Sequence, residues 1–364
     1  MSAIRCLQCN REYPAEGVPH RCMQCGGIFD FDSPSIFDHK KIDNNKAGLW
    51  RYRHALELPP EAPEVTLGEG NTPLVWIDYK KNTVGFKLEM LNPSGSYKDR
   101  GTSVLVSQLL QRGVKEAVED SSGNAGASFA AYAARAGIKT RIFVPESASG
   151  PKRLQIERYG AELVSISGPR SAAASAVLEE VAKGATYASH AYLPFGIPGI
   201  ATIAYEIFEQ VGGIPGTMIM PVGHGGLMLG VMRGFQSLFQ AGVIKIIPYF
   251  VGVQAAACAP AVAAFMAKKE EMISVVELPT VAEGVRVRYP VRVDAILKEL
   301  KPSGGEFIAV PEENILPAFN YLTRMGFYAE PTSALAWAAY DTLKGKLPEP
   351  VIIILTGSGL KYHS

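Results

Sequence analysis

The chain has 364 residues, of which 47% are apolar and 20% charged, and its formal net charge is +1. This is the composition of a globular protein with about two domains and a large core. No block of like charge favours nucleic acid or a membrane surface, and no apolar run reaches membrane-spanning length. We therefore expect neither nucleic acid nor a membrane among its partners.

Four of the five cysteines form two CxxC pairs, Cys6 with Cys9 and Cys22 with Cys25. Such pairs can direct four thiolates at one ion, which suits tetrahedral zinc. No neighbouring His or Glu suggests an open coordination position, so we predict a structural zinc module over residues 1–30. The alternative is four buried or redox cysteines. The odd cysteine count and the lack of an apolar leader favour a reducing, cytoplasmic compartment.

The next residues, 31–66, contain several prolines and are predicted to form a connector with a helix near 49–58. From about residue 84, predicted strands and helices alternate. The strands are 114–118, 139–144, 162–166, 217–221, 246–254 and 351–355, and the helices are 125–136, 152–159, 171–182 and 227–238. This βαβα pattern predicts an α/β protein with parallel sheets that are covered by helices on both faces.

Lys98 lies in residues 94–100, SGSYKDR, between a Gly/Ser turn and a predicted helix start. A lysine amine can form a Schiff base with a carbonyl cofactor, and a turn can aim it into a cleft. A lone lysine in such a setting is more often a solvated surface residue. A function for Lys98 therefore depends on the loops that follow it.

Three loops follow predicted strands, at the edge where open α/β sheets bind ligands. Residues 121–126, SSGNAG, offer amide groups at a helix start, which attract an anion such as a carboxylate. Residues 223–226, GHGG, allow amides to close around a phosphate, although the Walker and Rossmann spacings are absent. Residues 355–359, LTGSG, place a hydroxyl at a strand end. Taken singly, each loop also fits an ordinary N-cap or tight turn.

The lysine and the three loops together supply an amine, a carboxylate site, a phosphate cradle and a neutral hydroxyl. This set suits pyridoxal 5′-phosphate (PLP), whose ring is an electron sink for chemistry on amino acids. The chain resembles the threonine synthase branch of the fold type II PLP enzymes, which have the tryptophan synthase β-like fold. The resemblance extends over nearly the whole chain. It rests on 68–74 (GEGNTPL), 92–101 (NPSGSYKDRG), 121–128, the glycine loop and 355–361. The CxxC pairs resemble the zinc ribbon that many members carry.

The resemblance implies a role for each candidate residue. Lys98 would bind the cofactor covalently and move the α-proton, and Asn124 would contact the 3′-oxygen of the cofactor. Ser122, Gly123 and Asn124 would bind the substrate carboxylate. Thr356 would face the pyridine nitrogen. The cofactor phosphate would be held by the glycine loop, at Gly223, His224, Gly225, Gly226 and Leu227.

The resemblance also implies two parallel-sheet α/β domains besides the ribbon. The large PLP-binding domain would comprise 31–94 and 196–364, and a small mobile domain would comprise 95–195. A homodimer and a small amino-acid substrate are implied as well. The leading expectation is a lyase of amino-acid biosynthesis that converts O-phospho-L-homoserine to L-threonine and phosphate.

Residues 190–199, HAYLPFGIPG, depart from the family pattern. Gly196 falls where threonine synthases carry an arginine for the substrate phosphate, and Ala191 falls where they carry a hydroxyl. His224 and Ser358 replace a usual Asn and His. A missing guanidinium weakens a phosphate site, so a β-eliminase or β-replacement enzyme (serine/threonine dehydratase or cysteine synthase type) is the alternative. A non-catalytic relative is a third possibility, which the intact lysine motif disfavours.

Overall fold

The computed structural model describes residues 2–146, 150–168 and 170–362. Its strands are β1 (Ile4–Cys6), β2 (Phe29–Phe31), β3 (Leu74–Tyr79), β4 (Asn82–Lys87), β5 (Glu116–Glu119), β6 (Lys139–Pro145), β7 (Glu162–Ile166), β8 (Thr217–Pro221), β9 (Tyr249–Ala255), β10 (Glu306–Val310) and β11 (Val351–Ile354). Its helices are α1 (Lys98–Gln111), α2 (Asn124–Ala136), α3 (Pro151–Arg158), α4 (Arg170–Ala182), α5 (Ile197–Val211), α6 (Gly226–Gln240), α7 (Pro260–Met266), α8 (Val293–Leu300), α9 (Glu312–Arg324) and α10 (Pro331–Leu343).

The chain divides into two compact units. The first unit comprises Met1–Glu69 and Lys98–Gly199, and the second comprises Gly70–Tyr97 and Ile200–Tyr362. Both units are α/β, and mixed α/β architecture with parallel sheets confirms the predicted fold class. Across the described stretches, no helix combines the length and the apolarity needed to cross a membrane.

The first unit contains a parallel sheet with the strand order β5-β6-β7 and a separate antiparallel pair, β1 with β2. Helix α2 joins β5 to β6. Its many alanines allow close packing, and Phe129 and Tyr132 fill the core beside Leu105 and Leu109 of α1. The helix ends at Gly137, whose φ of 71° is a left-handed conformation that favours glycine.

Residues 31–69 belong to the first unit, whereas the sequence-based division placed 31–94 with the large domain. The reason is that apolar side chains of this segment bury against α1. The cluster consists of Leu49, Trp50, Leu56, Leu58, Ala62 and Val104. The helix predicted near 49–58 is a 3-10 helix, Gly48–Ala55, with non-helical backbone at Tyr52. The mobility predicted for 95–195 stays a prediction.

The second unit contains a six-stranded sheet with the order β10-β9-β8-β11-β4-β3. Only β3 is antiparallel to its neighbour, and the other pairs are parallel. Strand β11 is apolar and buried throughout, as expected for a central parallel strand covered on both faces. Because β8 and β11 are parallel neighbours, the glycine loop after β8 and Thr356 after β11 leave the same edge of this sheet.

The predicted strands and helices from 114 to 238 all occur, with ends shifted by a few residues. The strand predicted from 246 begins at Tyr249, and the strand predicted to end at 355 ends at Ile354. The β3–β4 hairpin, strands β1, β2 and β10, and helices α5 and α7 to α10 were not predicted. Helix α9 contains Pro317, which lowers its intrinsic helix propensity; packing of its apolar face offsets this.

Candidate active site

Lys98 is the first residue of α1, and its side chain is half-buried. The chain that leads into it belongs to the second unit and is fixed there. The amide of Tyr97 donates to the carbonyl of Thr356 at 3.0 Å, and Ser96 pairs with Gly357 in an antiparallel bridge. The backbone before the lysine is thus held against the segment that follows β11.

Gly95 makes this approach possible. Its φ is 87°, and a Cβ there would lie 3.1 Å from Cδ of Lys361. The ammonium of Lys361 donates to the carbonyl of Ser94 at 2.7 Å, and the amide of Ser358 donates to the carbonyl of Gly95 at 2.9 Å. The two sequence motifs, 94–97 and 356–361, therefore form one hydrogen-bonded structure within the second unit.

Glu69 is a fully buried carboxylate in the first unit that sequence analysis did not single out, although it lies in the GEGNTPL motif. It accepts hydrogen bonds from Trp50 Nε1 at 2.8 Å, Ser103 Oγ at 2.5 Å and the Tyr132 hydroxyl at 2.7 Å. Ser103 is on α1 and Tyr132 is on α2, so Glu69 connects the helices that begin at Lys98 and Asn124. Burial, with the nearby charges of Asp99 and Glu69, raises the pKa of the Tyr132 phenol.

The loop 121–124 connects β5 to α2. Two of its amides are used internally: the amide of Ser121 donates to the carboxylate of Glu119, and the amide of Gly123 donates to Ser121 Oγ at 3.2 Å. Ser122, between them, donates no hydrogen bond among the residues that the structure describes. Asn124 begins α2 and is half-buried. The loop therefore presents the Ser122 amide and hydroxyl at the start of a 13-residue helix, where an anion is favoured.

Gly126 fixes how this loop meets its helix. A Cβ at Gly126 would lie 1.8 Å from the carbonyl oxygen of Ser121. Real side chains do not approach a backbone oxygen so closely, so any other residue would displace the loop. The glycine in the SSGNAG motif is explained by this packing.

The glycine loop connects β8 to α6 in the second unit. Gly225 has a φ of 97°, and a Cβ there would lie 2.7 Å from Ile296 Cδ1. A Cβ at Gly223 would lie 2.8 Å from the carbonyl oxygen of Gly284. The carbonyl of His224 accepts a hydrogen bond from the amide of Arg292 at 2.9 Å. Side chains are thus excluded at Gly223 and Gly225. The loop leads into a 15-residue helix, whose N-terminus is suited to a phosphate.

Thr356 is buried, and its hydroxyl direction follows from its neighbour Ser333. Ser333 Oγ accepts from the amides of Thr356 at 2.9 Å and Gly357 at 3.3 Å. These bonds use both lone pairs, so the Ser333 hydroxyl donates to Thr356 Oγ1 at 3.0 Å. The Thr356 hydroxyl proton is then available to another acceptor. Sequence analysis missed Ser333, because no motif marks it.

Gly196 and Gly199 pack against the start of α1 within the first unit. A Cβ at Gly196 would lie 3.0 Å from the carbonyl oxygen of Gly101, and one at Gly199 would lie 2.2 Å from that of Arg100. The position where the family pattern has arginine therefore has little room for a side chain. Ala191, at the hydroxyl position, is buried.

The four N-terminal cysteines lie together. Cys6 Sγ is 3.5 Å from Cys25 Sγ, Cys9 Sγ is 3.6 Å from Cys22 Sγ, and all four sulfurs lie within 4.8 Å of one another. Such a cluster could hold one metal ion. A Cβ at Gly27 would lie 2.8 Å from Cys6 Sγ, so the glycine after the second pair gives the sulfurs room.

Residues 65–357 match the family of pyridoxal-phosphate dependent enzymes. The chain belongs to this family. Relatives include the threonine synthase of Methanocaldococcus jannaschii, 33% identical over 98% of this chain and 92% of that protein. The threonine synthase of Methanosarcina acetivorans is 32% identical over 99% of this chain and 92% of that protein. The predicted resemblance to threonine synthases and the predicted class, a PLP-dependent lyase, are confirmed.

A solved structure agrees with the fold. A threonine deaminase from T.th. has a TM-score of 0.65 and 28% sequence identity, over 80% of this chain and 94% of that protein. The candidate residues of this PLP-dependent enzyme lie in both units. The first unit contains Lys98, Ser122, Gly123 and Asn124, and the second contains Thr356 and the glycine loop, Gly223 to Leu227.

Proposed function

We propose that the protein is a threonine synthase, which converts O-phospho-L-homoserine and water to L-threonine and phosphate. The observation that carries this proposal is the similarity to threonine synthases along 98% of the chain. That length includes the lysine motif, the serine-rich loop and the three glycines of the glycine loop.

The residues present fit PLP. The glycine loop has no room for side chains at Gly223 and Gly225 and begins a long helix, which suits the cofactor phosphate. His224, Gly226 and Leu227 would contribute amides to the same group. The Thr356 hydroxyl would donate to the pyridine nitrogen, because Ser333 already donates to Thr356 Oγ1. A neutral hydroxyl at that position favours elimination and replacement over transamination.

In the first unit, Lys98 Nζ would attach the cofactor and then accept and return the substrate α-proton. Asn124 would contact the cofactor 3′-oxygen, and Ser122 with Gly123 would bind the substrate carboxylate. When bound, PLP supplies an electron sink that stabilises negative charge at the substrate carbons.

A second candidate function is β-elimination or β-replacement on a non-phosphorylated amino acid. The tight packing of Gly196 on Gly101 favours it, because no guanidinium can project from that position. Apolar Leu193, Phe195 and Ile197 surround this glycine in the sequence. A small or uncharged leaving group would need no arginine at this position.

Phosphate release distinguishes the two functions. The PLP-loaded protein is incubated with O-phospho-L-homoserine, and phosphate and threonine are measured, with Lys98→Ala as control. Equal amounts of both products support threonine synthase activity. No release, with conversion of L-serine or L-threonine to a 2-oxo acid or with β-replacement of O-acetyl-L-serine, would favour the second function. A protein that binds PLP but turns over none of these would contradict both proposals.

We infer that the cysteine cluster holds structural zinc. All four ligand atoms come from the protein, which leaves no coordination position for a substrate. Metal analysis of protein purified without chelators should give one zinc per chain. A Cys9→Ser/Cys22→Ser variant should lose that zinc. Zinc retained in the double variant would place the ion elsewhere.

We also propose that the enzyme is a cytoplasmic homodimer. The five cysteines form no disulfide among the described residues, which suits a reducing compartment, and the dimer is inferred from the resemblance to fold type II enzymes. Light scattering of the purified protein would give the mass, with the 39.2 kDa chain as the monomer reference. A monomeric mass at working concentrations would contradict the dimer.

A further inference from the structure

Glu119 ends β5 directly before the loop that carries Ser122, and its side chain is 1% exposed. Its carboxylate accepts a hydrogen bond from the amide of Ser121. The distance between Glu119 Oε1 and His190 Nδ1 is 3.0 Å. His190 comes from a segment 71 residues further along the chain. A buried carboxylate therefore joins the loop to a distant part of the same unit.

The segment that leads to His190, residues 186–188, is fixed beside β5 by backbone hydrogen bonds. Val118 and Tyr187 form a parallel bridge, the amide of Val118 donates to the carbonyl of Thr186 at 2.8 Å, and the amide of Ala188 donates to Val118 at 2.9 Å. These bonds set the register that brings His190 to Glu119. Since these backbone bonds position both segments, the Glu119 carboxylate faces the His190 imidazole.

The contacts of Glu119 determine which donors of the loop 121–123 are already used. Glu119 accepts the Ser121 amide and Ser121 Oγ accepts the Gly123 amide, whereas the Ser122 amide and hydroxyl donate to no group among the described residues and are available to a ligand. The carboxylate also lies three residues before Ser122, the first residue of the proposed anion site. A His190 imidazole that pairs with Glu119 orients that charge and, when protonated, offsets it.

We propose that Glu119 and His190 are positioning residues for the substrate carboxylate, acting through the backbone of residues 121–123. The inference rests on the proposed role of Ser122 in substrate binding and not on which amino acid is the natural substrate. Removing Glu119 frees the Ser121 amide, and the loop loses a hydrogen bond that fixes its conformation around Ser122. Removing His190 leaves the buried Glu119 charge poorly oriented.

The test compares ligands with and without a carboxylate. Changes in the visible absorbance of the PLP-loaded protein are titrated with L-threonine and L-threoninol, and with L-serine and L-serinol. Glu119→Ala should weaken binding of the better amino acid about tenfold and leave its amino alcohol within about twofold. His190→Gln, which can still donate to Glu119, should have a smaller effect than His190→Phe.

Tyr187→Phe is the matched control. It lies in the same segment and loses a half-buried hydrogen bond, to Asp120 at 2.8 Å, while the Glu119–His190 and Glu119–Ser121 hydrogen bonds stay in place. It should leave the preference for the carboxylate unchanged. If Glu119→Ala is poorly folded, Glu119→Gln supplies the same comparison with the side-chain volume kept, and an effect of at least about twofold is expected.

Equal weakening of the amino acid and its alcohol in Glu119→Ala would overturn the proposal, because a general structural defect acts on both. No weakening, or a wild-type protein that does not prefer either amino acid over its alcohol, would overturn it as well. These outcomes are separate from the phosphate-release assay. A protein that prefers carboxylates but leaves O-phospho-L-homoserine intact would contradict the threonine synthase proposal and retain this one.

Discussion

Ser128 Oγ donates a hydrogen bond to Asp99 Oδ1 at 2.6 Å, and both residues are fully buried. Asp99 follows Lys98 at the start of α1, and Ser128 lies one turn after Asn124 at the start of α2. The bond therefore joins the first turns of the two helices that carry the proposed covalent and 3′-oxygen contacts. An Asp in the first turn also interacts favourably with the helix dipole.

Asp99→Ala should lower the free energy of unfolding by about 1–3 kcal/mol, because Ser128 is left with a buried donor that has lost its acceptor. Chemical denaturation measures the change. The Asp99→Ala/Ser128→Ala double variant should cost less than the sum of the single variants. Additive costs would show that the two side chains do not interact. Thr342→Ala, at an exposed position of α10, is the control and should change stability little.

Lys98→Ala should abolish the visible absorbance of the lysine-bound cofactor and lower turnover by about 10³-fold or more, because no other group is proposed to move the α-proton. Absorbance spectra and turnover are measured on the same preparations. Lys139→Ala, at a lysine whose side chain is 83% exposed, should match the wild type in both. Retained turnover in Lys98→Ala would remove Lys98 from its proposed role.

Local patterns in the sequence predicted the features that depend on neighbouring residues. The CxxC spacing predicted a four-cysteine cluster, and the sulfurs of Cys6 and Cys25 do lie together. The apolar run at 351–354 predicted a buried parallel strand, and β11 is one. Hydrophobic periodicity and turn residues act over a few positions, so they can be read directly from the chain.

The polar partners of the site could not be predicted in this way. Ser333 sets the proton direction of Thr356 from 23 residues away, and His190 meets Glu119 across 71 residues. No local spacing encodes such pairs, because they exist only when the sheet register brings two elements together. The same applies to residues 31–69, which pack on α1 although they adjoin β3 in the sequence.

The pair Lys87–Glu206 is a buried ion pair in the second unit, with Nζ 2.7 Å from Oε2 and side chains 0% and 4% exposed. Lys87 Nζ also donates to the carbonyl of Thr72 at 2.7 Å, and Glu206 Oε1 accepts the amide of Asn71 at 2.7 Å. Lys87→Met should lower the free energy of unfolding by about 3–5 kcal/mol, since it removes the ammonium that pairs with the buried Glu206 carboxylate. Thermal and denaturant unfolding measure it.

The control for this prediction is an exposed pair of the same type. Lys139 Nζ lies 3.3 Å from Glu116 Oε1, with side chains 83% and 71% exposed. Lys139→Met should cost no more than about 1 kcal/mol. Equal losses of unfolding free energy in Lys87→Met and Lys139→Met would show that burial does not determine the cost of removing the lysine. Lys87→Met/Glu206→Leu should recover much of the loss, because both members of the buried pair are then apolar.

Metal removal should loosen the contact between the cysteine-containing segment and the end of α1. Arg112 donates to the carbonyls of Pro14, Ala15 and Gly17 at 3.1, 3.1 and 2.9 Å, and its guanidinium lies over the ring of Tyr13. Chelation should raise amide hydrogen exchange in residues 4–31, because these bonds need a folded segment. Exchange in the six-stranded sheet of the second unit is the internal control. Unchanged exchange in 4–31 after the metal has been removed would show that this segment folds without it.

Alkaline pH should destabilise the protein partly through Tyr132. Burial, together with the charges of Asp99 and Glu69, raises the pKa of this phenol in the folded protein. Its contribution to stability is therefore complete below the ordinary tyrosine pKa of about 10 and falls as the pH rises above it, because only the unfolded chain ionises. The slope reaches about 1.4 kcal/mol per pH unit for this one group.

Tyr132→Phe should remove that slope while lowering stability at neutral pH by about 1–3 kcal/mol, since Glu69 loses one of its donors. Unfolding by urea at several pH values between about 8 and 11 measures both effects. Burial, with the charges of Asp120 and Glu119, raises the pKa of the Tyr187 phenol. Tyr187 therefore still contributes to the pH dependence of stability in the Tyr132→Phe variant. Tyr289→Phe, at an exposed ring, should retain the wild-type slope. If Tyr132→Phe also retains it, then Tyr132 ionises alike in both states, and its hydrogen bond to Glu69 does not keep the phenol neutral.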